Sequence, residues 1–430
     1  MEVSRLFYAL MGYGVSNRSL CKMLVEMGHR VFVSEAKALS EQDRRDLDEM
    51  HVEFEDNGNT ERVLKADWIV VSPSVKPDHP IVSRAREKTL TDLDVVLNIK
   101  KPGFIVAVTG TNGKTTTCHM FEHVLTKLGK RIIVAGNIGN PIANVRDEQL
   151  DYLVLEISSF QLFWSKSLPI DVGVILNIEP NHLDWHPSFE HYVESKLKLF
   201  TFAGKRFSHE SCRKFINKRW TDVVGFSTMH LVNEHQVEFH GQIYPLRNGF
   251  LKTHQNLQNL SAVLTVLESL GFEPRMVLEA LEDFTPPQHR MQLVAIIDEV
   301  HFVDDSKSTS AAATIAALQN YQDGKVVLIL TGRGKNENYD ALVGQVKKKV
   351  KFVVVFGEIT ALITPLLRAS NVPFRVVENM EEAVFEAFRR ASRGDIVLLS
   401  PAAASFDLYA NYAERGEHFV RVVESLKEGA

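Results

Sequence analysis

The sequence predicts an α/β protein of three units: a Rossmann-like unit at the N-terminus, a central unit of the P-loop type, and a second Rossmann-like unit at the C-terminus. Three observations carry this reading. Short β-rich runs alternate with amphipathic helical stretches along the chain, as expected of parallel sheets flanked by helices. The stretch VTGTNGKTTT at 108–117 follows the apolar run FIVAV and precedes the helix-like CHMFEHVLTKLG; strand, glycine turn, lysine and threonines at a helix start make a phosphate-binding pattern. The Pro pair in TPPQHRM is a linker signal. A chain of 430 residues has room for about two to four domains. The expected boundaries are 1–92, 93–286 and 287–430.

In the first unit, RLFYALMGYGVSNRSLCKMLVEMGHRVFVSEA reads strand, glycine turn, helix, strand, and ADWIVVSPS is a later strand ending in a turn. The second unit opens at FIVAVTGTNGKTTT and continues through the strands RIIVAG, YLVLEIS and VGVILNI. The segment around 204–250 is less regular and reads as short antiparallel strands. NLQNLSAVLTVLESLG reads as a helix. From about 287 the third unit brings strands in VLILTG, FVVVFG, FRVVE and DIVLLSP.

Composition bounds the function. The net charge of −5 argues against a general nucleic-acid binder, which is usually basic. It leaves anionic substrates open, because local clusters of Lys, Arg and backbone N–H groups bind them. Cys21, Cys118 and Cys212 are the three cysteines, with no CxxC spacing. That is neither a disulfide framework nor a zinc site, and it suits a reducing cytoplasm. The start MEVSRLFYALMGYG lacks the features of a signal peptide. No apolar run approaches the ~18 residues of a membrane span. A cytoplasmic protein, without nucleic-acid or membrane partners, is the expectation.

The lysine loop carries the strongest chemistry. Gly110 and Gly113 let the backbone approach phosphates, the intervening N–H groups of Thr111 and Asn112 cradle them, and Lys114 supplies a point charge. The hydroxyl of Thr115 or Thr116 suits Mg²⁺. Val108 stands where the general pattern has its first glycine. In YGVSN, Gly12 and Gly14 follow a strand, Asn17 replaces the last glycine of a dinucleotide fingerprint, and Glu35 ends the next strand. An NAD site, another nucleotide site and tight packing all remain open there. Glu156 ends an apolar strand, as metal-holding acids do in many NTPases, and Ser158 or Ser159 after it also suits a helix N-cap.

Other positions are ambiguous alone. His182 and Asp184 follow a strand and suit a metal, a general base or a structural turn. Lys196 and Lys198 lie on a predicted helix, where lysines are normally solvated and charged. Arg290 follows the linker and suits a phosphate clamp or an ion pair. Asp305, Ser306 and Lys307 lead into an Ala-rich helix whose start favours an anion, or is simply capped. Lys335 follows one later strand, and Ser405, Phe406 and Tyr412 follow another. Three strand-end loops would face one crevice of a parallel sheet.

In order, GTNGKTTT, GNIGNP, EISSFQL, NHLDWH, SKLKLF, NLQNLSAV, HRMQ, DDSKST and SPAAASFD resemble the Mur ligase family across nearly the whole chain. With the N-terminal MGYGVSN, the last two loops resemble those of members that add D-glutamate to UDP-N-acetylmuramoyl-L-alanine in peptidoglycan precursor synthesis. The resemblance implies that the alanyl carboxylate attacks the γ-phosphate of ATP and that the D-glutamate amine then attacks the acyl phosphate. Lys114 would stabilise the transferring phosphoryl group. Thr115 and Glu156 would hold one Mg²⁺, and His182 with a carbamylated Lys196 would hold a second.

The resemblance also distributes the remaining residues. Val15, Ser16, Glu35 and Lys37 would line the UDP site, with Asn137, Ser158 and His182 toward the sugar and its carboxylate. Gly110–Thr116, Asn256, Asn259, Arg290 and Asp305 would hold ATP. Lys307, Thr309, Lys335, Ser405 and Phe406 would bind D-glutamate, with Tyr412 nearby. A monomer is implied. Three positions depart from the family pattern: Gln255 stands for His, Ser74 for Gly, and Arg333 for an acid beside Lys335.

Three rivals make different forecasts. Another amide ligase of the superfamily shares the central unit but not the C-terminal loops or MGYGVSN. A nucleotide-dependent switch turns over ATP without an amino acid. A dehydrogenase binds NAD and leaves Lys114 without a role.

Overall fold

The computed structural model describes residues 5–145, 149–183, 185–216, 219–285, 288–334 and 339–428. Its first sheet contains β1 (Phe7–Met11), β2 (Arg30–Ser34), β3 (Glu53–Glu55), β4 (Trp68–Val71) and β5 (Thr89–Leu90), in the order β3-β2-β1-β4-β5. All its pairs are parallel. The strand order reverses at β1 and β4, so the crevice opens at their C-terminal ends. Gly12 turns there with φ +85, and a Cβ on it would lie 2.8 Å from the Ser72 hydroxyl. A side chain is excluded by both backbone and space.

The central sheet contains β6 (Phe104–Thr109), β7 (Ile132–Gly136), β8 (Tyr152–Glu156), β9 (Ile170–Ile175), β10 (Ala203–His209) and β11 (Val223–Phe226). Its order is β11-β10-β9-β6-β8-β7, again parallel. The runs FIVAVT and YLVLE are apolar because helices cover both faces of such a sheet. A small antiparallel sheet of β12 (His230–Asn233), β13 (Gln236–Phe239) and β14 (Gln242–Pro245) packs beside it.

This corrects the reading of 204–250. Only the part from His230 is antiparallel, whereas β10 and β11 extend the parallel sheet. The charges in GKRFSH disguise a strand. Phe207 is buried while Arg206 turns aside to the Phe200 carbonyl and Asp222.

The third large sheet contains β15 (Gln292–Ile297), β16 (Val300–Asp304), β17 (Val326–Thr331), β18 (Val350–Phe356), β19 (Phe374–Val376) and β20 (Ile396–Leu399), in the order β15-β16-β20-β17-β18-β19. It departs from a purely parallel Rossmann-like sheet at one edge, where β15 runs antiparallel to β16. The hairpin between them turns on Asp298 and Glu299, both at positive φ, as two-residue hairpins of this hand require. β16, β20 and β17 are adjacent, so the loops after them meet at one sheet end.

The first two sheets share an apolar core, in which Leu10 and Leu24 join Leu93, Ile105 and Leu153 in one cluster. Polar contacts reinforce the junction. The Asp94 carboxylate accepts from the N–H groups of Lys166 (2.6 Å) and Ser167 (2.9 Å), and the Trp164 indole donates to the Val75 carbonyl. The third sheet has apolar clusters of its own. No helix among the described residues is long and apolar enough to cross a membrane.

Candidate active site

The loop after β6 is shaped by glycine. Gly113 has φ +83, and a Cβ there would lie 2.2 Å from Asn259 Oδ1. Only glycine lets the helix Lys114–Lys127 begin this close to Asn259, and no side chain caps that helix. Its first N–H groups therefore face the loop, where an anion is favoured. The Lys114 ammonium folds back onto the carbonyls of Gly110 (2.9 Å) and Thr111 (3.0 Å). Burial lowers its pKa, Glu156 opposes that, and Arg290 adds to it.

Glu156 is brought beside this loop by register, since it pairs with Val108 of β6 and Gly136 of β7. Its carboxylate accepts from the Thr115 hydroxyl (2.5 Å) and from the Asn137 amide (3.0 Å). Burial pushes the carboxyl up, but Lys114, Arg290 and Lys307 hold it below its usual value. Arg290 reaches across from the third unit and donates to the Thr115 hydroxyl. One carboxylate thus gathers three cations from two units, a field that suits polyphosphate.

Thr115 and Glu156 also present hard oxygen donors of the kind Mg²⁺ takes. Arg290 lines the cavity, and its Nε is buried without a hydrogen-bond partner, a donor that a nucleotide phosphate would satisfy. Among the described residues, no group of three or more His, Cys, Asp or Glu could hold a metal by itself. Mg²⁺ fits that donor set, because it normally keeps waters and substrate phosphates in its shell.

Lys196 overturns its bland reading as a solvated lysine. It is 2% exposed, on the helix Phe189–Leu197, and donates to the Gly110 carbonyl (2.8 Å) with Thr109 Oγ at 3.5 Å. Its ammonium lies over the Tyr192 ring at 4.7 Å. Burial, reinforced by Lys114, lowers its pKa well below the usual value. Lys198 caps the same helix and donates to the Phe163 carbonyl.

A cavity of about 200 Å³ joins the central and third units. Thr111, Asn112, Gly113, Lys114, Thr116, Asn137, Glu156, His182 and Asn256 line it from one side, and Arg290, Asp305, Lys307 and Thr309 from the other. His182, at φ +55, rests edge-on against Phe160. Asp305 is buried among the hydroxyls of Ser308 (2.5 Å) and Ser400 (2.9 Å), and burial pushes its carboxyl up to about 7. Burial and Arg290 bring Lys307 down to about 7, and its ammonium lies 4.8 Å from the Tyr412 ring centre.

The other expected residues do not line this cavity. Gly110, Thr115, Asn259 and Lys196 stand behind its wall. Ser158 is an N-cap in a capping box with Gln161, the structural alternative for that serine. Val15, Ser16, Glu35 and Lys37 lie at the end of the first sheet. There Glu35 accepts from the N–H groups of Tyr13 (2.7 Å) and Lys37 (3.1 Å), while Val15 is 63% exposed. Asn17 holds the glycine turn by donating to the Met11 and Gly12 carbonyls. Ser405 is buried and Phe406 is 64% exposed in the loop after β20. Lys335 and Asp184 lie outside the described residues. Arg333 is neutralised by Glu358 through two hydrogen bonds.

Sequence reasoning missed several contributors. Asn181, Phe250, Thr253 and Asn320 line the cavity. Tyr192 braces the loop through its hydroxyl to Thr111 Oγ (3.0 Å). Arg415 is fully buried and donates to the carbonyls of Ser306, Thr331 and Ala403, tying together the loops after β16, β17 and β20. An arginine in YAERGEHF carries no such signal, since most arginines are exposed. The helical spacing from Ser310 to Asn320 was the signal available for Asn320.

Comparison with known proteins covers all three units. Residues 8–81 match the MurD N-terminal domain, 108–263 the Mur ligase middle domain, and 289–403 the Mur ligase, glutamate ligase domain. A UDP-N-acetylmuramoylalanine–D-glutamate ligase of Pseudothermotoga lettingae is 50% identical over 426 residues, spanning 98% of this chain and 99% of that one. The ligase of the same name from Fervidobacterium nodosum is 42% identical over 430 residues, spanning 98% and 100%. The crystal structure of UDP-N-acetylmuramate-alanine ligase from Thermotoga maritima has a TM-score of 0.63 at 20% identity, covering 98% of this chain and 100% of that one, a likeness of fold.

Proposed function

The chain belongs to the Mur ligase family, and we propose that it uses ATP to join D-glutamate to UDP-N-acetylmuramoyl-L-alanine in peptidoglycan precursor synthesis. The observation that carries this is the cavity between the central and third units, with phosphate-binding groups on one wall and the cations Lys307 and Arg290 on the other. Relatives of that name match nearly the full length.

The alanyl carboxylate attacks the γ-phosphorus of ATP, ADP leaves, and an acyl phosphate forms. The neutral amine of D-glutamate attacks the acyl carbon. The tetrahedral intermediate expels phosphate, and the new amide nitrogen loses a proton. Lys114 stabilises charge on the transferring phosphoryl group. Arg290 offers a second cation from the facing unit, and Asn256, Asn259 and Asp305 hold the nucleoside. Lys307, Thr309, Lys335, Ser405 and Phe406 receive D-glutamate, whose two carboxylates favour a cationic pocket. Val15, Ser16, Glu35 and Lys37 receive the UDP group, and Asn137, Ser158 and His182 the sugar and alanyl end. Closure of the units would keep water from the acyl phosphate.

Thr115 and Glu156 would hold one Mg²⁺, and His182 with carbamylated Lys196 a second, offsetting the repulsion between carboxylate and phosphates. The burial of Lys196 supports this role. Only a neutral amine adds to CO₂, releasing a proton as the carbamate forms, and burial favours the neutral amine. The unit boundaries 1–92, 93–286 and 287–430, a monomer, and a cytoplasmic location complete the reading.

Phosphate release from ATP and Mg²⁺ tests it, with UDP-N-acetylmuramoyl-L-alanine and a panel of D- and L-amino acids. Release that needs both substrates, with D-glutamate best, is expected. Preference for another amino acid overturns the specificity, and release independent of both overturns the ligase.

A further inference from the structure

No step of the ligation uses Asn177, yet it holds the lysine loop. It is buried just past the end of β9. Its Oδ1 accepts from the Asn112 N–H (2.8 Å), and its Nδ2 donates to the Asn112 carbonyl (3.2 Å). A carbonyl only accepts and an N–H only donates, so this pairing fixes which way the amide faces. The Asn177 carbonyl accepts in turn from the Thr111 N–H (3.0 Å). Gly110 makes room for this approach, because a Cβ there would lie 3.0 Å from Leu176 Cβ and 3.4 Å from the Asn177 nitrogen.

These bonds reassign the phosphate cradle. The sequence offers the N–H groups of Thr111 and Asn112 to an anion, but in the folded chain Asn177 takes both. The remaining donors are the N–H groups of Gly113 and of the first turn of the helix Lys114–Lys127, which no side chain caps. The carbonyl that Asn177 holds belongs to the peptide between Asn112 and Gly113. That peptide is planar and trans, so its C=O and N–H point opposite ways. Fixing the Asn112 carbonyl therefore aims the Gly113 N–H away from Asn177. Asn112 and Gly113 both line the cavity, with Asn177 behind them. Gly113 sits at φ +83, and glycine by itself restrains such a peptide weakly, because it populates both signs of φ.

We propose that Asn177 is a positioning residue for the nucleotide: it pins the peptide between Asn112 and Gly113 so that the Gly113 N–H meets the phosphates of ATP. It acts through the loop and touches no substrate. This rests on the ATP-dependent ligase reading.

The test is calorimetric titration of ADP with Mg²⁺ into the full-length wild type and Asn177→Leu, with the KM for D-glutamate measured alongside at saturating ATP. Leucine keeps the shape of the side chain and removes both of its hydrogen bonds. The Kd for ADP is expected to rise about tenfold in the variant, the scale of one lost hydrogen bond, while the KM for D-glutamate stays at the wild-type value. Where Asn177→Leu fails to fold, Asn177→Ala makes the same comparison. A variant that binds ADP as the wild type does overturns the assignment. So does one that binds less ADP per chain at the wild-type Kd, because a merely structural role lowers the folded fraction and not the affinity. Equal rises in both constants also overturn it. A wild type that binds no ADP overturns the ligase reading itself, and the positioning role with it.

Discussion

Glu156 and Lys196 are both buried, and their surroundings give them opposite fates. Glu156 has Lys114, Arg290 and Lys307 around it, which keep the carboxylate charged. Burial drives Lys196 toward the neutral amine, and the charge of Lys114 adds to it. The place of Glu156 beside the lysine loop was legible, because it ends an apolar strand that follows that loop in the same sheet. The burial of Lys196 was not, because SKLKLF looks like any amphipathic helix. A depressed carboxyl pKa contributes stability above the unfolded value, near 4.5, and loses it as pH falls through the folded value. Urea unfolding of wild type and Glu156→Gln between pH 6 and 3 checks this. The wild type's advantage should be full at pH 6 and fade below about 4.5. An advantage that stays constant across that range refutes the charge-pairing account.

At the scale of elements, the site is made where strands end. β6 and β8 deliver the lysine loop and Glu156, while β16, β20 and β17 deliver three loops to one end of their sheet. These strand ends were readable from apolar runs followed by Gly, Ser and Asp. The fastening of the loops was not. Arg415, on the helix Tyr412–Glu428, holds the carbonyls of Ser306, Thr331 and Ala403 from within the unit. Arg415→Met would leave those acceptors unpaired and buried. A loss of about 3 kcal/mol in urea unfolding is expected, since each orphaned group costs about 1–3 kcal/mol. The KM for D-glutamate should rise in the same variant, and an unchanged unfolding midpoint would show the contacts to be dispensable. The antiparallel edge strand β15 was also missed, because LVAII alone does not reveal the direction of pairing.

At the scale of the molecule, the first two sheets are joined by a shared core and the third stands on its own. Arg290 spans the division by donating to Thr115. Relative motion is therefore expected between the third unit and the rest, the usual behaviour of units joined by a polar contact. Arg290→Ala should enlarge the ligand-free protein's radius of gyration in small-angle scattering and raise the KM for ATP about tenfold, the scale of a lost charged hydrogen bond. A variant with the wild-type radius would show that Arg290 does not hold the units together.

Local pattern by itself determined the fold class, the lysine loop, the strand-end acid and the order of motifs that identifies the family. Each of these is written in contiguous residues, because strand periodicity, turn chemistry and helix starts are short-range properties. Tertiary structure alone decided that Lys196 is buried, that Arg415 ties three loops, and that Asn320 lines the same cavity as Lys114. Those outcomes depend on which distant segments pack together and exclude water, and burial and partnership are set by that packing.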